Sequence, residues 1–311
     1  MIFTLTMNPT LDRYLYIDEL KEDDTVRVKR YSDYPAGKGI DVSRVIRELG
    51  GVSVAVALLG GATGRKIEEL LDEEGVIYTA IRVEPETRTN IILQLKDHQY
   101  RLSLPGETVR REKLEKVRET LQALVRPGDT VVISGSLPKG VSPDFYTGII
   151  FILKQFGAVV YFDSDGENLK AGVLAEPKGI KPNIHELSRL YGKPIEENDL
   201  AEILKAASDI HRNYRIEEVM VSLGGQGAIL YTKDGIWRVK VPKLPVVSAV
   251  GAGDSFLAAF VMKRTEGADY ETALRWAGAA GSAAVLTPGT QLCRKEDVEA
   301  LLERIEVKKI G

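Results

Sequence analysis

The 311-residue chain is 44% hydrophobic and 28% charged, enough for one large α/β unit or about two average domains. A single cysteine, Cys293, rules out an internal disulfide, and three histidines (His98, His185, His211) with no second thiol leave no zinc-binding spacing. A net charge of −3, a start without a basic stretch ahead of an apolar core, and no apolar run near the ~18 residues that span a bilayer argue against nucleic acid and membrane as partners and for a cytoplasmic protein. The 29 glycines beside so few His and Cys point to chemistry done by backbone amides and carboxylates.

In chain order, the hydrophobic pattern predicts a buried strand at 2–6, alternating strands within 11–34, a helix at 41–49, a strand at 54–59 and a helix at 64–74. Alternation returns within 87–104, as a run at 89–95, a turn at 96–99 and a run at 100–104, followed by a helix at 110–125. Strands at 130–134, 159–162 and 219–223 then alternate with helices at 143–156 and 200–214, and helices at 254–264 and 270–286 close the pattern. The Val- and Ile-rich strands read as buried on both faces, which predicts a doubly wound, mostly parallel sheet flanked by helices in a single unit over 1–311. Segments 12–34 and 87–104 are expected to pair into a small antiparallel sheet inserted in that core. It forms either a lid over the C-terminal strand ends, where ligands bind in such folds, or an edge extension of the main sheet. A lid would leave an apolar face uncovered, so a homodimer through it is expected.

The strongest chemical signal is Val250–Phe260, VGAGDSFLAAF. Gly251 and Gly253 free the backbone to turn, and the helix behind them leaves the N–H groups of Gly251, Ala252 and Gly253 pointing outward as an anion hole. Asp254 then reads either as a helix-terminus carboxylate favoured by the dipole or as a general base beside donors for a transferring phosphoryl group. The helix is apolar all round and therefore buried, and an open N-terminus on a buried helix favours the second reading.

Gly251-Ala-Gly-Asp254 resembles the GAGD signature of the ribokinase-like sugar kinases, the PfkB family. Three further segments are similar to that family's motifs, in its order: Pro35–Ile46 with Leu49-Gly-Gly to the glycine signature, Lys181–Glu186 (KPNIHE) to Asn-x-x-Glu, and Ser222–Gly227 (SLGGQG) to the nucleotide loop. Segments 6–12 (TMNPTLD), 60–64 (GGATG), 100–106 (YRLSLPG), 134–138 (SGSLP) and 289–293 (GTQLC) resemble the phosphohexose kinases within the family, nearest the minor-type 6-phosphofructokinase branch.

The resemblance implies a ribokinase-like fold and ATP-dependent phosphorylation of a phosphohexose. Fructose 6-phosphate is the expected acceptor, with fructose 1-phosphate and tagatose 6-phosphate as alternatives. It places Asp254, Gly251, Ala252 and Gly253 at the transferring phosphate, and Asp12, Gly37, Lys38, Gly39, Asp41 and Ser136 at the sugar. A second phosphate on the acceptor needs its own cations. Arg88, Arg101 and Arg27, read as residues of the lid strands, carry guanidinium forks that suit it, and the resemblance singles out Arg88 and Arg101. Asn183 and Glu186 lie one helical turn apart. Spacing alone reads them as a solvent-facing pair, and Ser282 as either packing or adenine-pocket lining. The resemblance gives Glu186 the hydration shell of Mg²⁺, and gives the nucleotide Asn183, His185, Ser222, Gly224, Gly225, Gly227 and Ser282. It also implies a K⁺ site at Ser248, Val250, Ala284, Thr287, Gly289 and Gln291. Asp163 is expected near the metal's waters and Asp165 in a turn.

Three positions depart from the family pattern. Asp41 stands where asparagine is usual, and an ionised carboxylate accepts hydrogen bonds but cannot donate them. His185 stands where close relatives often carry lysine, and Ser248-Ala-Val where many carry Asp-Thr. Two rival classes are a dinucleotide-dependent oxidoreductase and a non-catalytic nucleotide-binding regulator. The first lacks GxGxxG after a strand, and a P-loop pattern is missing too; the second sits poorly with Asp254, Asn183 and Glu186 all in place.

Overall fold

A computed structural model describes residues 1–96 and 98–311. The first part of the chain forms β1 (Ile2–Thr6), β2 (Thr10–Tyr16), β3 (Arg30–Ala36), α1 (Lys38–Glu48), β4 (Ser53–Gly60), α2 (Gly61–Glu73), β5 (Ile77–Val83), β6 (Arg88–Gln94), β7 (Gln99–Leu102) and α3 (Arg111–Leu124). There follow β8 (Thr130–Ser134), α4 (Asp144–Gln155), β9 (Val159–Asp163), α5 (Gly166–Val173), β10 (Gly179–Ile180), α6 (Ile184–Tyr191), α7 (Leu200–Tyr214) and β11 (Glu218–Ser222). The chain continues with β12 (Ala228–Thr232), β13 (Gly235–Lys240), α8 (Ala252–Thr265), α9 (Tyr270–Ala284), α10 (Lys295–Leu301) and β14 (Glu306–Lys309).

Among the described residues ten strands form one sheet, in the order β14-β13-β12-β11-β10-β9-β8-β1-β4-β5. Every pairing from β11 to β5 is parallel, and β12 to β14 add an antiparallel edge. The chain leaves β1 toward β4 and β5 and returns to β8 on the other side, so strand order reverses between β1 and β8. The crevice at such a reversal, outside the C-terminal strand ends, is where this architecture holds ligands. Alternate residues of each strand feed opposite layers. Val56, Leu58, Val131, Ile133 and Val160 pack with apolar residues of α3 to α7, whereas Val132, Tyr161 and Met220 pack with α8 and α9, and Ala55, Ala57 and Leu59 with Ile40, Ile67 and Leu71. Helix α8 is buried continuously over Ser255–Met262 and lies against the alanine-rich α9, whose small side chains allow the axes to approach.

The two alternating segments form a separate sheet, β3-β2-β6-β7, so the edge-extension alternative does not hold. Its outer pairs, β2–β3 and β6–β7, are antiparallel, while β2 and β6 run parallel where the two segments meet. The segment 11–34 is not strand throughout: residues 17–29 connect β2 to β3, and Arg27 is exposed there rather than on a strand. The turn read at 96–99 includes residue 97, which lies outside the described residues. Elements the periodicity missed are short or edge-bound: β5, the two-residue β10, α5, α6, α10 and the β12–β13–β14 edge. No described helix is long and apolar enough to cross a membrane.

Candidate functional site

Two helices begin in the crevice without a side-chain cap. Helix α1 is led by Gly37 (φ 124°) and α8 by Gly251 (φ 76°), backbone conformations that favour glycine. A β-carbon on Gly37 would stand 2.8 Å from Thr6 Cγ2, so the loop is pressed on the end of β1. Ser255 N–H is the first of α8 to find a helical acceptor, Gly251 O at 2.8 Å, and among the described residues the N–H groups of Ala252 and Gly253 meet none. Helix α8 starts two residues before the predicted position, at Ala252, which places Asp254 within the first turn.

Around that turn stand three carboxylates and two ammonium groups. Asp163, buried at the end of β9, pairs with Lys38 Nζ at 3.2 Å and Lys181 Nζ at 3.4 Å. Burial alone would raise its pKa, but Lys181 and Lys38 outweigh burial and hold it below the usual carboxylate range. Lys38 is pulled the other way: burial disfavours its charge, yet Asp163, Asp254 and Glu186 together raise its pKa. Asp254 is pushed up to about 6, chiefly by burial, with Lys38 opposing and Asp163 reinforcing. Lys181 lies 3.1 Å from where a β-carbon of Gly253 would sit, so its ammonium borders the anion hole.

The small sheet presents its polar face to this cluster. Strand pairing aligns Tyr34, Asp12 and Asn90 across β3, β2 and β6, with Arg101 on the same face of β7. Asp12 is 1% exposed and accepts from Asn90 Nδ2 (2.9 Å) and Arg101 Nη2 (3.2 Å). Arg88 spends its guanidinium on the carbonyls of Asn8, Pro9 and Leu104, and burial lowers its pKa. Ser136 Oγ accepts from Asn8 Nδ2 at 3.0 Å, a bond that spans the β1–β8 reversal and leaves the Ser136 proton free. Asp41 is buried in the first turn of α1. Burial and the nearby Asp254 raise its pKa well above the carboxylate norm, against the pull of Arg44. Arg27 has no hydrogen bond or ion pair among the described residues and stands apart from this group.

The Asn183–Glu186 pair is not solvent-facing. It forms a reciprocal capping box at the start of α6: Asn183 Oδ1 accepts from the N–H groups of His185 and Glu186, and Glu186 Oε2 accepts from Asn183 N–H at 2.8 Å. Glu186 is buried, and burial raises its pKa, with Lys38 opposing. His185 faces solvent. Ser222 N–H donates to Pro182 O at 3.0 Å, tying the 222–227 loop to this motif, and Gly224 and Gly225 have open space where a side chain would be. Ser282 lies buried on α9. Asp165 caps α5 and pairs with Arg189, a structural duty.

Residues 284–292 return beside α8. Thr287 Oγ1 lies 3.0 Å from Ala284 O and 2.6 Å from Leu292 O, two acceptors for one hydroxyl proton, while Ser248 Oγ accepts from Val250 N–H at 3.2 Å. The Gln291 side chain turns to the small sheet and donates to Tyr34 Oη at 2.9 Å, and Gly289 lies against the Tyr14 ring. Sequence reasoning missed Lys181, Asn8 and Asn90 as members of the site. Lys181 was visible in KPNIHE as a lysine at a strand end, but Asn8 and Asn90 give no local signal.

A fold that opens its crevice at a strand-order reversal, with an aspartate inside an uncapped, glycine-led helix turn, fits an enzyme of the class that holds an anionic group in that crevice. The profile of the pfkB family carbohydrate kinases matches residues 5–297. The chain is 33% identical over its whole length to the full tagatose-6-phosphate kinase of Staphylococcus epidermidis, and 32% to the full 1-phosphofructokinase of Bacillus subtilis. It is 34% identical to ATP-dependent 6-phosphofructokinase isozyme 2 of Escherichia coli, over 96% of this chain and 97% of that one. The crystal structure of phosphofructokinase-2 from Escherichia coli in complex with potassium superposes with a TM-score of 0.93 at 34% identity, covering 97% of this chain and 98% of the other. The chain belongs to the pfkB family of carbohydrate kinases, phosphotransferases that act on a hydroxyl group.

Proposed function

We propose that the chain transfers the γ-phosphoryl group of ATP to a primary hydroxyl of a phosphohexose, with fructose 6-phosphate as preferred acceptor and fructose 1,6-bisphosphate as product. The observation that carries the reading is Asp254 inside the open first turn of α8: a base and an anion hole in one turn. The acceptor hydroxyl gives its proton to Asp254 as its oxygen bonds to phosphorus and the bond to the ADP oxygen breaks. The Ala252 and Gly253 amides, with Lys181 and Lys38, meet the charge on the phosphoryl oxygens. Asp12, steadied by Asn90, accepts from a sugar hydroxyl, and Ser136 donates to one. Arg101, on the same face, supports a phosphorylated over a free sugar, with Arg88 beside it. Relatives acting on fructose 1-phosphate and tagatose 6-phosphate match at similar identity, so these are the alternative acceptors.

The residues fit a hydrated Mg²⁺: buried Asp163 Oδ2 has the Lys181 ammonium at 3.4 Å but no hydrogen bond, and Glu186 commits one oxygen to its capping box, leaving the other. Bound there, the ion would offset charge on the ATP phosphates. The surplus of carbonyl acceptors around Thr287 likewise fits K⁺, with Ser248, Val250 and Ala284 alongside. Asn183 and the 222–227 loop would hold the nucleotide, with the whole chain acting as one catalytic unit in the cytoplasm.

ADP release should be measured with fructose 6-phosphate, fructose 1-phosphate, tagatose 6-phosphate, fructose, ribose and nucleosides. Fructose 6-phosphate should give the highest kcat/KM. Asp254→Asn should lose about 10²–10⁴-fold in kcat while binding nucleotide as before. Turnover of unphosphorylated sugars alone, or an active Asp254→Asn enzyme, would overturn the reading.

A further inference from the structure

Arg44 lies on α1 one turn after Asp41, and the reaction above makes no use of it. It is 6% exposed, and its guanidinium reaches three other segments besides its own helix. Nε and Nη2 donate to the two oxygens of Glu74, the residue that caps α2, at 2.6 and 2.8 Å. Nη1 donates to Pro35 O on β3 at 3.0 Å and to Thr290 O at 2.9 Å, and stands 3.4 Å from Asp41 Oδ1. Burying a guanidinium is unfavourable unless its N–H groups are met. Here they are met by a carboxylate and two backbone carbonyls from three segments distant in the chain.

Two of those contacts lead into the site. Asp41 is buried near Asp254 and Asp12, and Arg44 is the cation that opposes their repulsion. Thr290 leads to the phosphoryl end. In its loop, Leu292 is held at φ 64° with its carbonyl bound by Thr287, and its Cδ2 lies 2.3 Å from where a β-carbon of Gly251 would stand. The same loop touches the small sheet through Gly289 against Tyr14 and Gln291 to Tyr34. Arg44 therefore bonds at once to the small sheet, to the buried carboxyl of Asp41 and to the loop that presses on the anion hole.

We propose that Arg44 is a positioning residue that registers the small sheet and Asp41 against the Gly251–Gly253 turn, so that acceptor and phosphoryl group meet in one geometry. The inference rests on the kinase reading and goes beyond it. A lysine at this position keeps the charge but cannot span the four partners.

Kinetics of Arg44→Lys and Glu74→Gln would test it. Arg44→Lys should lose about 10²-fold in kcat, as misplacement of reacting groups does, and raise the sugar KM about tenfold. The ATP KM should stay within about twofold, because the 222–227 loop touches none of these groups. Glu74→Gln, at the partly exposed C-terminal end of α2, should move kcat and sugar KM the same way by about threefold. It keeps the inference testable if Arg44→Lys does not fold. Hydrogen exchange reads the link without turnover: Arg44→Lys, or Glu74→Gln in its place, should speed exchange together at Ser255, whose N–H is bound by Gly251 O, and at Thr287, whose N–H is bound by Ala284 O. A fall in Tm with kcat and sugar KM unchanged, an ATP KM that rises as much as the sugar KM, or unchanged exchange at Ser255 would overturn the inference. Wild-type turnover on the sugar panel decides the kinase reading separately, and exchange still decides this inference if that reading fails.

Discussion

At Asp254 burial and charge pull in opposite directions, and the balance sets a measurable pH. Burial is the larger influence and brings the carboxyl to about 6, with Lys38 as the main opposing force. A general base works ionised, so kcat/KM for the sugar should fall about tenfold per pH unit below that value and level off above it. Replacing Lys38 with Met removes the strongest opposing charge and should move the limb to higher pH. A wild-type limb near the ordinary carboxylate value of about 4 would show that Asp254 is not so placed. The carboxylate was legible in GAGD; its poise was not, because Lys38, Asp163 and Lys181 come from three distant stretches of chain. The same holds for Glu186, whose spacing from Asn183 fits an exposed helix pair as well as the buried capping box the fold builds from it.

Among the elements, α1 is set by contact rather than propensity. A β-carbon on Gly39 would stand 2.5 Å from Thr6 Oγ1 and 2.8 Å from Leu5 O, and the backbone of β1 cannot yield. Gly39→Ala should therefore lift α1 from the sheet and cost about 1–3 kcal/mol, read as a fall of several degrees in Tm. Gly225→Ala, with no atom within 4 Å, serves as the control with unchanged Tm. An equal Tm for Gly39→Ala would refute the close-packing account. Long helices such as α3, α4 and α7 were readable from spacing because each buries one stripe along several turns. Strand β10 was not, since two residues have no period, and β12–β13 gave way to reading 222–227 as a glycine loop when Asp234-Gly235 also marks a hairpin.

Across the whole molecule, the outward face of the small sheet carries an apolar row, Tyr31–Leu15–Leu93–Tyr100, one residue from each strand, with Leu102 beside it. Tyr31, Tyr100 and Leu102 are exposed. Such a row on a four-stranded sheet standing off the core favours a second copy as its cover. Light scattering should find a dimer, and Leu93→Glu should release monomers; a wild-type monomer at micromolar concentration would refute the pairing. Arg101 and Asp12 lie on the opposite face, so loosening the sheet should also weaken sugar turnover.

The alternation of strand and helix, the glycine-led turn before a buried helix and the carboxylate within it all follow from local pattern. Each is encoded within a window of a few residues, where periodicity and backbone freedom act. Tertiary structure alone decided that β2 and β6 pair in parallel, that Asn8 meets Ser136 across the strand reversal, and that Lys181, Lys38 and Asp163 converge on Asp254. It also placed Arg44 among four partners. Those meetings join residues far apart in sequence, and they are selected by the packing of whole layers against one another, which no local window contains.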